Sequence, residues 1–232
     1  MLDLIGITVL TAAIAVNLNA TVTMMPLSAA QKLTAVVIAG LWIGWAIALG
    51  TTGVYGATST PVPAIGVMAG LPVVAAGIAA LLSTKARESF LALPLALLVG
   101  LNAMRVFGGF FLLLALQDRL SGPFPQSAGW GDVIVGLTAI PLTLAIARNP
   151  RGHRGAVFAW NVFGTLDLVA AVTLGIMSAP GSPLQVFGGT IGSTAVTMLP
   201  WSNIPTLLVP FYLITHGIIF AKLAQADRRA VA

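Results

Sequence analysis

The sequence predicts an all-α integral membrane protein, a bundle of seven transmembrane helices with its N-terminus outside and its C-terminus in the cytoplasm. Three observations lead there. Hydrophobic residues make up 58% of the 232-residue chain and charged residues 7%, with a mean hydropathy of +1.00, too few charges to solvate a globular surface. The apolar runs are about 20 residues long, the length a helix needs to cross the hydrocarbon core, and seven of them with short connections use nearly the whole chain. With seven spans, Lys32, Lys85, Arg87, Arg148, Arg151, Arg154, Lys222, Arg228 and Arg229 fall at one membrane face and only Arg119 at the other. The positive-inside rule makes the crowded face cytoplasmic, whereas six or eight spans would scatter these charges.

Residues 1–232 read as a single transmembrane domain. The first span, about 2–25, has Asp3 as its only early charge and lacks the basic leader and Ala-x-Ala exit of a signal peptide, so it is expected to be retained. The second, about 33–49, carries Gly40-x-x-x-Gly44 between Trp42 and Trp45, and the third, about 63–82, carries Gly66-x-x-x-Gly70. Such small-residue pairs let backbones approach closely, so these two helices are expected to pack on one another. A short interfacial stretch follows Lys85, Arg87 and Glu88, leading into the fourth span, about 93–116. The Pro-, Gly- and Ser-rich residues 120–129 predict a structured loop, with glycines that let the chain turn into the fifth span, about 130–147, where Pro141 predicts a kink. A basic loop containing His153 leads to the sixth span, about 156–177. Residues 178–200, with Gly188, Gly189 and Gly192, are too broken for another span and predict a re-entrant or interface-lying loop. The seventh span, about 201–223, contains Pro205, Pro210 and His216.

One residue in this apolar chain demands an explanation. Arg105 stands mid-way along the fourth span, and a guanidinium at bilayer depth must face protein or water. Asp132 and Asp167 are the carboxylates able to meet it. At about 1.5 Å per residue, Arg105 falls near the midplane, Asp167 level with it or slightly outward, and Asp132 near the outer interface. Asn102 shares a helix face with Arg105, and Asn161 shares one with Asp167, so these residues outline a polar pocket in the outer half of the bundle. The alternative is a buried Arg105–Asp167 pair that fixes helix register, with Asp132 complementing a helix dipole. His216 is placed nearer the cytoplasmic side, more than about 10 Å from Arg105 along the normal. It is a candidate axial ligand for a haem or chlorin-type pigment, or a hydrogen-bonded packing histidine. The absence of Cys removes thiolate chemistry, no spacing suggests a metal cluster, and no basic run suits a nucleic acid. The sequence names no cofactor.

Gly129-Trp130-Gly131-Asp132 is similar to the Gly-x-Gly-Asp signature of intramembrane aspartyl proteases such as presenilins and prepilin peptidases, which would make Asp132 and Asp167 a water-activating dyad. In those families the second aspartate precedes this motif, whereas Asp167 follows it, and their Pro-Ala-Leu motif is missing here; the four-residue match reads as coincidence. The topology resembles that of microbial rhodopsins, but the seventh span lacks an interior lysine for retinal, Lys222 being at its end. The helix count is shared with PQ-loop sugar transporters, yet Pro125-Gln126 lies in the predicted loop. Gly192-Ser193-Thr194 with His216 is similar to a rhomboid pair but lacks the glycine after the serine. From Asn102-Ala-Met-Arg105 through Gly129-Trp-Gly-Asp132 and Trp160-Asn161 to Asp167, Ile204-Pro205 and His216, the chain resembles an uncharacterised bacterial multi-pass membrane family with no established activity. That resemblance implies the bacterial inner membrane.

The leading expectation is a non-enzymatic protein that binds or passes a small polar or anionic ligand at Arg105, with Asp167, Asp132, Asn102 and Asn161 completing the site. The alternative is an accessory or structural subunit, or a homo-oligomer, partnered by membrane proteins as well as lipid. An intramembrane aspartyl protease is the third reading.

Overall fold

In hydrocarbon every backbone N–H and C=O must be satisfied within the protein, and apolar runs therefore wind into helices. The computed structural model describes residues 1–56, 63–149, 152–187 and 189–231, with side chains to residue 226. Arg151, Gly188 and the side chains of Arg228 and Arg229, used in the reading above, lie outside the described residues. The chain forms α1 (Leu2–Met24), α2 (Ala29–Thr51), α3 (Ala64–Leu82), a short α4 (Thr84–Ala92), α5 (Leu95–Leu101), a 3-10 segment (Asn102–Gly109), α6 (Phe110–Leu116), α7 (Phe124–Arg148), α8 (Arg154–Met177), a π-helical turn (Ile204–Leu208) and α9 (Val209–Val231). Among the described residues seven stretches are long and apolar enough to cross a membrane: α1, α2, α3, the continuous rod Leu95–Leu116, α7, α8 and Ile204–Ala226.

Local chemistry moves several boundaries from their expected places. Helix α2 begins at Ala29 because Ser28 and Gln31 form a capping box, each side chain bonding the other's backbone N–H at 3.3 and 3.0 Å. The stretch expected at the interface is helical α4, capped by Ser83 Oγ, which accepts from Ala86 N–H at 3.2 Å. Of the segment 120–129, expected as a loop, residues 120–123 are non-helical and residues 124–129 supply the first turns of α7. Pro123 and Pro125 fall at the cap and in the first turn, where their missing N–H would have had no helical partner anyway. Pro141 lies inside α7, which runs on through it.

The helices alternate in direction. Met1, the end of α2, the starts of α3 and α7 and the end of α8 therefore lie at one end of the bundle, here the N-terminal face. Helix α7 is central, packed on α5, the 3-10 segment, α6 and α8, while α9 packs on α3, α5 and α8. Helix α2 is 6% buried along its apolar window against 61% for Ile204–Ala226, so α2 lies at the rim. The expected glycine-mediated packing of the second and third spans is not what forms. Among the described residues a side chain at Gly40, Gly44 or Gly70 would meet nothing within 4 Å, and Gly66 faces Ile176 of α8.

The described residues 178–187 and 189–203 close the N-terminal face as an irregular cap with a short 3-10 turn, Thr194–Thr197. Protein groups meet backbone amides within it, as non-helical chain at a membrane requires. Gly192 N–H donates to Ser121 Oγ and Ser121 N–H to Gly192 O, both at 2.9 Å, while Ser193 N–H reaches Ser178 O at 3.1 Å. Asp3 ties the N-terminus to this cap, its Oδ1 accepting from Arg119 at 2.8 Å and from Trp201 Nε1 at 2.7 Å.

Candidate functional site

The 3-10 segment sets the position of Arg105. Winding at three residues per turn stacks residues i and i+3 on one face, and Asn102, Arg105 and Gly108 are the buried residues of this segment. It lies so close to α7 that a Cβ on Gly136 would collide with the backbone of Val106 and Ala103. Glycine is what lets the two backbones meet.

Arg105 is enclosed, its side chain 0% exposed. Its Nε donates to Asp132 Oδ1 at 2.7 Å and its Nη2 to Asp167 Oδ2 at 2.5 Å. Its Nη1 donates to Gly164 O at 3.1 Å and lies 3.1 Å from His216 Nε2. One guanidinium thus joins the fourth span, α7, α8 and α9. The pairing partners assign the histidine tautomer. Asn161 Nδ2 donates to His216 O at 3.1 Å, so its Oδ1, 2.7 Å from His216 Nδ1, is the acceptor for an Nδ1 proton, and Nε2 is left to accept from Arg105. The imidazole is neutral in this arrangement. Tyr212 offers its ring to the guanidinium at 5.9 Å and accepts from Asn17 Nδ2 at 3.1 Å. Trp160 packs on the imidazole at 5.4 Å between ring centroids.

Missing side chains make room for these groups. A Cβ at Gly108 would overlap the Asp132 carboxylate, one at Gly131 the Asp167 carboxylate, and one at Gly164 the His216 ring and Arg105. The Gly129-Trp130-Gly131-Asp132 motif is therefore helical, and its glycines serve close packing rather than the turn expected of them: Gly129 faces Leu112 and Gly131 faces Asp167.

A cavity of about 120 Å³ opens among α3, α7, α8 and the cap, walled by residues including Tyr55, Phe111, Phe124, Leu168 and Val172, and Asp132 is the charged residue in its lining. A chamber of about 20 Å³ lies beyond, bordered by Arg105, Gly108, Tyr212 and again Asp132. That is room for roughly one water molecule. Asp132 thus stands between the cavity and the guanidinium.

The expected residues are partly reunited. Arg105, Asp132 and Asp167 form one cluster, and Asn161 joins it through His216. Asn102, fully buried, donates instead to Leu98 O of its own helix at 2.9 Å, and neither asparagine lines the cavity. His216 is the residue most misplaced by sequence reasoning: it touches Arg105 rather than lying some turns away. The last span starts at Ile204 rather than Trp201, which sets His216 nearer the N-terminal face and so closer to the level of Arg105. Both of its ring nitrogens are partnered, leaving neither for the iron of a haem or the metal of a chlorin. Between the two carboxylates sits Arg105, where a proteolytic dyad would hold its water. Ser193 Oγ donates to Gly175 O at 2.7 Å, so serine and histidine are engaged elsewhere rather than with each other.

Residues 62–224 match the family described as domain of unknown function (DUF8737), in keeping with the resemblance to an uncharacterised family. No curated protein and no solved structure matches the chain.

Proposed function

Because this chain belongs to that family of domains of unknown function, its role has to come from its own geometry, and we propose that it is a non-enzymatic membrane protein that binds or passes a small polar ligand through the cavity ending at Asp132. We place it in a bacterial inner membrane with the N-terminal face outward, so that the cavity opens to the outside. The observation that carries the reading is a carboxylate, 7% exposed, set in an otherwise uncharged wall. Ligand sites are mostly apolar concavities with a few fixed polar groups, and ionisable residues at membrane depth mark ligand or ion paths by default. Arg105, sealed behind Asp132 and Asp167, acts as the clamp that orients the carboxylates rather than as the ligand's own contact. Native mass spectrometry of protein extracted in mild detergent tests this. A bound small molecule is expected, lost in Asp132→Asn while the variant keeps its melting transition. Protein that carries only lipid, unchanged by the substitution, would overturn the reading.

A second reading, an accessory subunit of a larger membrane assembly, draws support from the α2 face, where Gly40 and Gly44 stand open and Trp45 is 51% exposed. Migration of the gently extracted protein as a small particle would count against it.

A further inference from the structure

We infer that the ligand of this cavity is a small organic cation, an ammonium group on an apolar body, with Asp132 as its counter-ion; this rests on the reading of the cavity as a ligand site. The charge pattern leads there. The ionisable groups gathered at the floor are one guanidinium, two carboxylates and an imidazole held neutral by its partners. With both carboxylates ionised one negative charge is left over, and in a low-dielectric surrounding such a charge takes up either a proton or a positive partner; a cation is the partner that leaves both acids ionised. Asp132 is placed to receive it. Its Oδ1 is taken by Arg105, its Oδ2 has no protein partner among the described residues, and its side chain borders both the cavity and the chamber behind it.

The walls define the rest of the ligand. An anion would meet a carboxylate first, with Arg105 sealed behind it. A hard divalent ion such as Ca²⁺ or Mg²⁺ wants six or more oxygen ligands, which this largely carbon wall does not offer. An ammonium on a hydrocarbon body satisfies both features. The rings of Phe111 and Phe124, 5.2 Å apart between centroids, add aromatic faces that favour a cation. The volume of about 120 Å³ sets the size, since a dry cavity of roughly 150 Å³ takes up one benzene ring.

The test uses three probes of one shape, propylammonium, propanol and propanoate, titrated calorimetrically into the full chain in lipid nanodiscs. Propylammonium is expected to bind roughly tenfold or more tighter than propanol, with propanoate weakest. Asp132→Asn should erase the difference between the cation and the alcohol. Gly66→Leu, on the cavity wall with only Ile176 near among the described residues, should weaken all binding without touching the cluster; it keeps the test intact if Asp132→Asn does not fold. If the alcohol or propanoate binds as well as the cation and Gly66→Leu weakens it, the cation is wrong but the ligand site stands. If no probe binds, or Gly66→Leu changes nothing, the ligand site falls as well.

Discussion

Arg105 shows how a single residue commits the surrounding structure. Its nitrogens hold Asp132, Asp167, the Gly164 carbonyl and His216 at once, so removing the charge strands two buried carboxylates. Arg105→Gln is expected to cost about 3–5 kcal/mol, the usual penalty for breaking a buried ion pair from one side. Replacing all three members together, Arg105→Met with Asp132→Leu and Asp167→Leu, should recover most of that loss, because no lone charge is left in the apolar interior. Thermal unfolding of the three-site variant beside Arg105→Gln decides it, and equal losses would show that the cluster stabilises by more than mutual compensation. Sequence pointed to this triad because a base in an apolar run must find acids and the chain offers few. It did not reveal His216, since its depth follows from departures of the helices from their expected starts and winding.

Those departures belong to the elements. At the start of the last span, Pro210 has no N–H to bond Thr206 O, and the backbone instead closes a wider turn in which Val209 N–H reaches Ile204 O. The 3-10 segment is accommodated by α7 through Gly136. Gly136→Ala is therefore expected to destabilise by roughly 1–3 kcal/mol, the scale of overpacking a tight interface, because the opposing atoms are backbone that cannot rotate away. Gly40→Ala, facing open space, should be neutral within about 0.5 kcal/mol. A common melting assay measures both, and equal effects would mean that the close approach at Gly136 contributes nothing. The two glycines look alike in sequence. Gly40 even belongs to the better-known packing motif, yet the motif at α2 stands open, and glycines outside any x-x-x pair carry the contacts of the site.

At the scale of the whole molecule, the proposed orientation predicts that a fluorescent protein fused after Ala232 glows, while alkaline phosphatase in the same place stays inactive; the reverse pattern would turn the cavity toward the cytoplasm. Membrane residence, the seven spans and the identity of the charged triad could be read from the sequence alone, because hydrocarbon imposes one rule on every residue: apolar runs of fixed length span, and rare charges seek each other. What only the tertiary structure decided is the cavity, the partnering of His216 and the place of Asp132 between cavity and guanidinium. These depend on the close approach of distant segments, the cap of residues 178–187 and 189–203 folding over α3, α7 and α8 and glycines admitting one helix's side chains to another's backbone. Periodicity along a single helix carries no record of such distances.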